Sequence, residues 1–207
     1  MKTEIILIRH GKTFWNQKKR MQGQVNIPLN STGIAQAHEL AEKLANRKID
    51  ICYSSPLSRA VDTARIALNG RDIPIKTTDL LVEHGYGLSE GSSYRHIPIY
   101  YQNCRAYNYE HHPELFVPAI GGETFQQVYN RAKEFISQYL LNPANDGRTI
   151  LVASHAGISA AIQGLMFQIP LENYWSVKLP NCGYAIVIYE NGTFTETERS
   201  NPGYEQF

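Results

Sequence analysis

The sequence predicts an α/β protein of three layers, α/β/α, with a mostly parallel central sheet and an inserted lid segment at about 92–120. Three observations predict it: apolar runs of strand length without polar alternation, helical stripes between those runs, and one aromatic-rich stretch that breaks the rhythm.

Ile5 to Ile8 is the first run, continuous as in a strand covered on both faces. After a polar loop, Asn30 can cap a helix whose apolar positions Ile34, Ala37, Ala41, Leu44 and Ala45 recur at helical spacing. Ile49 to Tyr53 reads as the next strand. Pro56 then stands near the start of a helix striped by Leu57, Ala60, Val61, Ala64 and Leu68. Ile73 to Thr77 is a third strand. From Phe125, Val128, Tyr129, Ala132, Ile136 and Tyr139 mark the longest amphipathic helix, which leads to a strand at Thr149 to Ala153 and a further helix near Gly157. Gly183 to Tyr189 and Thr193 to Glu198 flank "ENG", a hairpin signal, and the second of them is polar enough to be an edge. The stretch from Ser92 to Ile120 mixes Tyr94, Tyr100, Tyr101, Tyr107, Tyr109 and Phe116 with Arg95, His96, Arg105, His111 and His112, the composition of a lid or binding loop.

At 207 residues the chain, 1–207, is expected to form a single domain. Twenty Lys and Arg against nineteen Asp and Glu leave a net charge of +1, too little to hold a polyanion, so nucleic acid is not expected as a partner. No apolar run reaches the length of a membrane span or a signal-peptide core, so no membrane partner and a cytoplasmic location are expected. Cys52, Cys104 and Cys182 are odd in number and lack a CxxC, which points to packed thiols.

"HGKT" at His10 to Thr13 resembles the tail of a phosphate-binding P-loop, but the first glycine of GxxxxGK[ST] would fall at position 6, which is Ile6. Arg9 and His10 instead end a strand, where open α/β sheets place ligands. Taken alone, that dipeptide fits a hydrogen-bonded surface pair as well as an anion site. A second run repeats it, ending in Ser154-His155-Ala156-Gly157, and Arg59 sits just past a third strand. In a parallel sheet these side chains share one edge and make an anion pocket.

The blocks "LIRHGKTFWN", "RMQGQVNIPLN", "SSPLSRAVDTA", "LLVEHGYGLSEG", "GGET" and "VASHAG" stand in the order found in the histidine phosphatase superfamily, and the chain resembles its phosphoglycerate mutase-like branch. The resemblance implies that His10 is the nucleophile that takes the phosphoryl group, that Arg9, Arg59 and His155 surround the phosphate, and that Glu83 is the proton donor. It implies phosphate or pocket contacts for Asn16, Gln22, Gly23 and Ala156, and a supporting loop at Gly122 and Glu123. The chain departs from the family pattern at Lys12, where acidic residues are common, at Asn26 for an aspartate, at Asn30 for a threonine cap, and at Ala156 for a glycine.

The implied activity is a phosphatase acting on a small phosphate monoester, of sugar phosphate or phosphoglycerate type. The alternatives are a phosphoglycerate mutase using the same phosphohistidine, and a non-catalytic phosphate-binding module. No metal or other cofactor is expected, because two fixed guanidinium forks can supply the positive charge that a metal would; a bisphosphoglycerate primer is expected only of a mutase. The remaining histidines, His38, His84, His96, His111 and His112, read as polar contacts.

Overall fold

The computed structural model describes residues 2–93 and 105–200, with residues 105–107 described by their backbone alone. Tyr94, Arg95, His96, Tyr100, Tyr101 and Cys104 therefore lie outside the described residues, as do the side chains of Arg105 and Tyr107. The elements in chain order are β1 (Thr3–Arg9), α1 (Phe14–Gln17), α2 (Ser31–Leu44), β2 (Ile51–Ser54), α3 (Ser58–Leu68), β3 (Ile75–Thr77), α4 (Arg105–His111), α5 (Phe125–Phe135), β4 (Thr149–Ser154), α6 (Ala156–Met166), β5 (Tyr184–Glu190) and β6 (Thr193–Arg199).

The six strands form one sheet in the order β3-β2-β4-β1-β5-β6. β3, β2, β4 and β1 are parallel, while β5 runs antiparallel to β1, and β6 antiparallel to β5. The unbroken apolar character of β1 now has its cause: Ile5 and Leu7 face a core shared with α5 and α6, and Ile6 and Ile8 face a second core under α2 and α3. All four are fully buried. At roughly 1.5–3 kcal/mol for each such side chain, a strand with two dry faces can lie only between two helical layers. The polar β6 is an edge, as its pattern predicts, and Asn191 and Gly192 turn the hairpin with φ of 52° and 82°.

Three local expectations are corrected. In α2 the buried stripe is Gly33, Ala37, Leu40, Ala41 and Leu44, so Ile34 and Ala45 face outward. The helix start is rotated because Gly33 presses its Cα against the Lys12 backbone, where any side chain would collide. β3 is only three residues, starting at Ile75 rather than Ile73. Finally, α5 proper has 11 residues against 14 in α2, because its hydrogen-bond ladder widens into a π-helical turn over Ile136–Leu140.

Within the stretch 92–120, the described part docks on the core. Tyr109 and Phe116 pack against Phe125, and the indole Nε1 of Trp175 donates to the Tyr109 carbonyl at 2.7 Å. Cys52 is a buried thiol, its pKa pushed up to about 12 by desolvation, in keeping with a packing role. Among the described residues no helix is long and apolar enough to cross a membrane.

Candidate active site

The parallel pairing places the carboxyl ends of β1, β2 and β4 side by side: Arg9 is level with Ser154, and Ser54 with Ala153. His10, Ser55 and His155 come directly after those three ends, and Arg59 lies in the first turn of α3. The antiparallel β5 begins at the same edge, Tyr184 being level with Ile8, so the loop before it crosses the end of β1.

His10 and His155 are the centre. Their rings stand 5.1 Å apart, centroid to centroid, and both are buried. His10 Nδ1 lies 2.7 Å from the carbonyl of Gly11. A carbonyl only accepts, so Nδ1 carries the proton and Nε2 holds the lone pair. The sequence cannot show which group fixes that tautomer; the backbone of the next residue does. Burial, Arg59 and Arg9 hold the His10 pKa well below 6.5, which keeps the ring neutral near pH 7.

His155 has the opposite tautomer. Arg59 Nε donates to its Nδ1 at 3.2 Å, so the proton sits on Nε2 and is shared with Ser55 Oγ at 2.8 Å. Burial and then Arg59 push its pKa well below the ordinary value too. Arg59 is fully buried; burial lowers its pKa to about 10, so it stays charged at neutral pH. Its Nη1 and Nη2 donate to the carbonyls of Val25 and Gly23, at 2.8 and 2.7 Å. Arg9 donates from Nη1 to the Leu179 carbonyl at 2.8 Å, while its buried Nε has no partner among the described residues.

Glu83 reaches the same edge from the segment that follows the 3₁₀ turn at Asp79–Leu81. Its Oε1 accepts from Gly157 N at 2.9 Å and Ile158 N at 3.2 Å, at the start of α6. A Cβ on Gly157 would lie 2.6 Å from that oxygen, so the glycine makes the seat. Ala156 occupies the first position of α6 with no positive φ, so a side chain in place of the family's glycine costs no backbone strain.

The loop after β1 is fastened from within. Asn16 and Thr13 form a capping box on α1, and Gln22 Oε1 accepts from Thr13 Oγ1 at 2.9 Å. Asn16 and Gln22 thus meet at Thr13, beside the His10 group. Gly23 has φ of 53° and faces the Glu90 carboxylate, leaving no space for a Cβ. Asn26 also gains a purpose: its Oδ1 accepts from Ser58 N and Ser58 Oγ, both at 2.8 Å, capping α3 where Leu57 has no side chain to do so. Asn30 caps α2 through Gly33 N at 2.8 Å, as expected.

Two buried histidines, two buried guanidinium groups and a buried carboxylate gather at one sheet edge, a set of charges and donors suited to an anion. The sequence profile of the histidine phosphatase superfamily (branch 1) matches residues 5–202. The chain belongs to that family. It is 29% identical over 188 residues to phosphoserine phosphatase 1 of Hydrogenobacter thermophilus, covering 90% of this chain and 87% of that one. It is 29% identical over 223 residues to the 2,3-bisphosphoglycerate-dependent phosphoglycerate mutase of Gloeothece citriformis, covering 91% and 94%. The solved structure of Bacillus stearothermophilus YhfR superposes with a TM-score of 0.86 at 30% identity, over 94% of this chain and 95% of that one. The histidine phosphatase is therefore an enzyme of phosphoryl chemistry, a phosphatase or a mutase, and the non-catalytic reading is set aside.

Four residues of this histidine phosphatase support the site without being singled out by the sequence. Ser55 holds His155, and Thr63 Oγ1 accepts from Gly11 N at 3.0 Å while donating to the Arg59 carbonyl at 2.7 Å. Asn181 Nδ2 donates to the His10 carbonyl at 2.9 Å, and Arg131 grips the segment bearing Glu83. Ser55 and Thr63 lie inside "SSPLSRAVDTA", and Thr63 stands one helical turn after Arg59, so spacing holds that signal. Asn181 sits in "LPNCG", where turn composition hides a positioning role.

Proposed function

We propose that this enzyme is a phosphatase for a small phosphate monoester, of sugar phosphate or phosphoglycerate type, working through a phosphohistidine on His10 and without a metal. The observation that carries the reading is the bond from His10 Nδ1 to the Gly11 carbonyl, which leaves Nε2 as a lone pair among Arg9, Arg59 and His155. Nε2 attacks phosphorus, and the phosphorus–oxygen ester bond breaks as the phosphorus–nitrogen bond forms. Glu83 gives its proton to the leaving oxygen. Water then attacks phosphorus, passes a proton to Glu83, and the electron pair of the phosphorus–nitrogen bond returns to Nε2. The guanidinium forks suit a transition state whose charge is spread over three equatorial oxygens, and that is why no metal is invoked.

The mutase reading keeps the first half and replaces water by the hydroxyl of a retained phosphoglycerate, with a bisphosphoglycerate primer. Its support is the similarity to the Gloeothece enzyme. Against it stands His84, the residue after Glu83: burial holds its pKa down and its Nε2 donates to the Glu123 carbonyl at 2.7 Å, so that position offers no cation to a second anionic group. The name of the Hydrogenobacter relative favours phosphoserine as one monoester to test.

The experiment is rapid quenching with labelled monoesters, including phosphoserine and phosphoglycerates. The expected result is an acid-labile, base-stable phosphoryl group that is absent in His10→Ala and is discharged by water. Discharge only by added phosphoglycerate converts the reading to a mutase. Turnover with no phosphoryl group on His10 overturns both.

A further inference from the structure

Glu83 stands in a stretch without regular structure, between one 3₁₀ turn at Asp79–Leu81 and another at Gly87–Ser89. Among the described residues no strand pairing holds 82–85, and Tyr86 makes one isolated antiparallel bridge, to Gly122. A proton donor must keep its oxygen within a few tenths of an ångström of the leaving group, so something else has to fix this backbone.

Arg131, on α5, does so with all five of its N–H donors. Nη1 donates to the carbonyls of Leu80 at 3.1 Å and Val82 at 3.0 Å, and Nη2 to the carbonyl of Glu83 at 3.3 Å. The other two donors form a fork with Glu123, from Nε at 2.8 Å and Nη2 at 2.9 Å. Glu123 then grips the segment from its other side. Its carboxylate accepts from Gly85 N at 2.8 Å, its own N–H donates to the Gly85 carbonyl at 2.8 Å, and its carbonyl accepts from His84 Nε2 at 2.7 Å. Gln24 Nε2 bonds both the Glu83 carbonyl and the Glu123 carboxylate, at 3.2 Å each. The Arg131 and Glu123 side chains are only 18% and 19% exposed, enough burial for the fork to hold its geometry.

We infer that the Arg131–Glu123 pair is a positioning device for the proton donor: it aligns the Glu83 backbone so that the carboxyl meets the leaving oxygen, and it touches neither phosphate nor substrate itself. This inference rests on the role of Glu83 proposed above. A lysine in place of Arg131 would keep the charge but has three donors without a planar fork, so it cannot serve three carbonyls and a carboxylate together.

The test is the dependence on leaving group. An aryl ester such as p-nitrophenyl phosphate needs little protonation of its leaving oxygen, whereas an alkyl monoester needs it fully. The quantity to measure is kcat/KM for the alkyl ester divided by that for p-nitrophenyl phosphate. A fraction of unfolded enzyme cancels in this ratio, so a destabilised variant still gives an answer. Glu83→Gln is expected to lower the ratio about 100-fold or more. Arg131→Lys and Glu123→Gln are each expected to lower it about tenfold. If Glu83→Gln lowers the ratio and the other two variants reduce both substrates equally, the pair is merely structural and the inference falls. If Glu83→Gln itself leaves the ratio unmoved, the proposed role of Glu83 falls and the inference goes with it.

Discussion

The ends of β1 and β4 lie level in neighbouring strands and each releases a buried histidine, yet the two imidazoles are wired oppositely. After β1 the chain leaves in a loop, so the Gly11 carbonyl is free to bend back and take the Nδ1 proton of His10. After β4 the chain enters α6 at once, with His155 as the residue before its first turn, and its ring is bonded sideways to Arg59 and Ser55. One ring keeps an unprotonated nitrogen, Nε2, the atom proposed to attack. The other has both nitrogens engaged, by Arg59 and Ser55. The element into which each strand leads, a loop or a helix, accompanies the tautomer of its histidine, and the proposed nucleophile is the one that enters a loop.

The comparison can be broken most sharply at His10. His10→Ala should reduce turnover by at least about 10⁴-fold, while His155→Asn, which keeps a polar group, should cost about 10²–10³-fold, the usual effect of losing one preorganised donor. Equal losses, measured as single-turnover rates, would mean that the two sites are not distinct in role. Next in size is Arg59→Met. It strands the carbonyls of Gly23 and Val25 and the Nδ1 of His155, so urea unfolding should show a loss of about 3 kcal/mol or more in addition to lost activity.

Acid should act on both rings alike, because burial is the first cause of each lowered pKa; it is also the first cause for His84. Below about pH 6.5 the unfolded chain binds protons that the folded protein refuses, so stability rises with pH through that region and levels off above it. Each imidazole adds up to about 1.4 kcal/mol per pH unit to the slope. Unfolding midpoints between pH 7.5 and 5 measure it, and His155→Asn should flatten the slope by one proton's share. Asp50 and Glu123, whose pKa values are lowered, lose their contribution only further down, in the carboxylate range. The smallest expected effect is at Ser55→Ala, which leaves His155 Nε2 without its partner: about 1–2 kcal/mol of stability and a few-fold loss of turnover.

Much of this architecture is legible in the sequence because dry strands and amphipathic helices carry their periodicity openly. The runs at Ile5 to Ile8 and Thr149 to Ala153 name both strand ends and therefore both histidines. The stripe in α2 fails at Ile34 because the neighbour that rotates the helix is the backbone of Lys12, which no side-chain pattern announces. The groups that orient the site are the least visible. A carbonyl at Gly11, an amide at Asn181 and three of the five donors of Arg131 work through backbone atoms, and a backbone atom has the same signature under any residue.

Because β5 runs against its neighbours, it starts where they finish, and the turn leading into it is bonded to Arg9 and His10 at the end of β1. Leu179 takes a proton donor of Arg9, and Asn181 steadies the carbonyl of His10, although all six motif blocks end before either residue. Cut between α6 and β5, the leading piece would own the whole reactive inventory and still lack the turn that aims it. Activity would return only when the trailing piece slid back in as a strand, which makes this junction a natural place to split the enzyme into a two-part reporter.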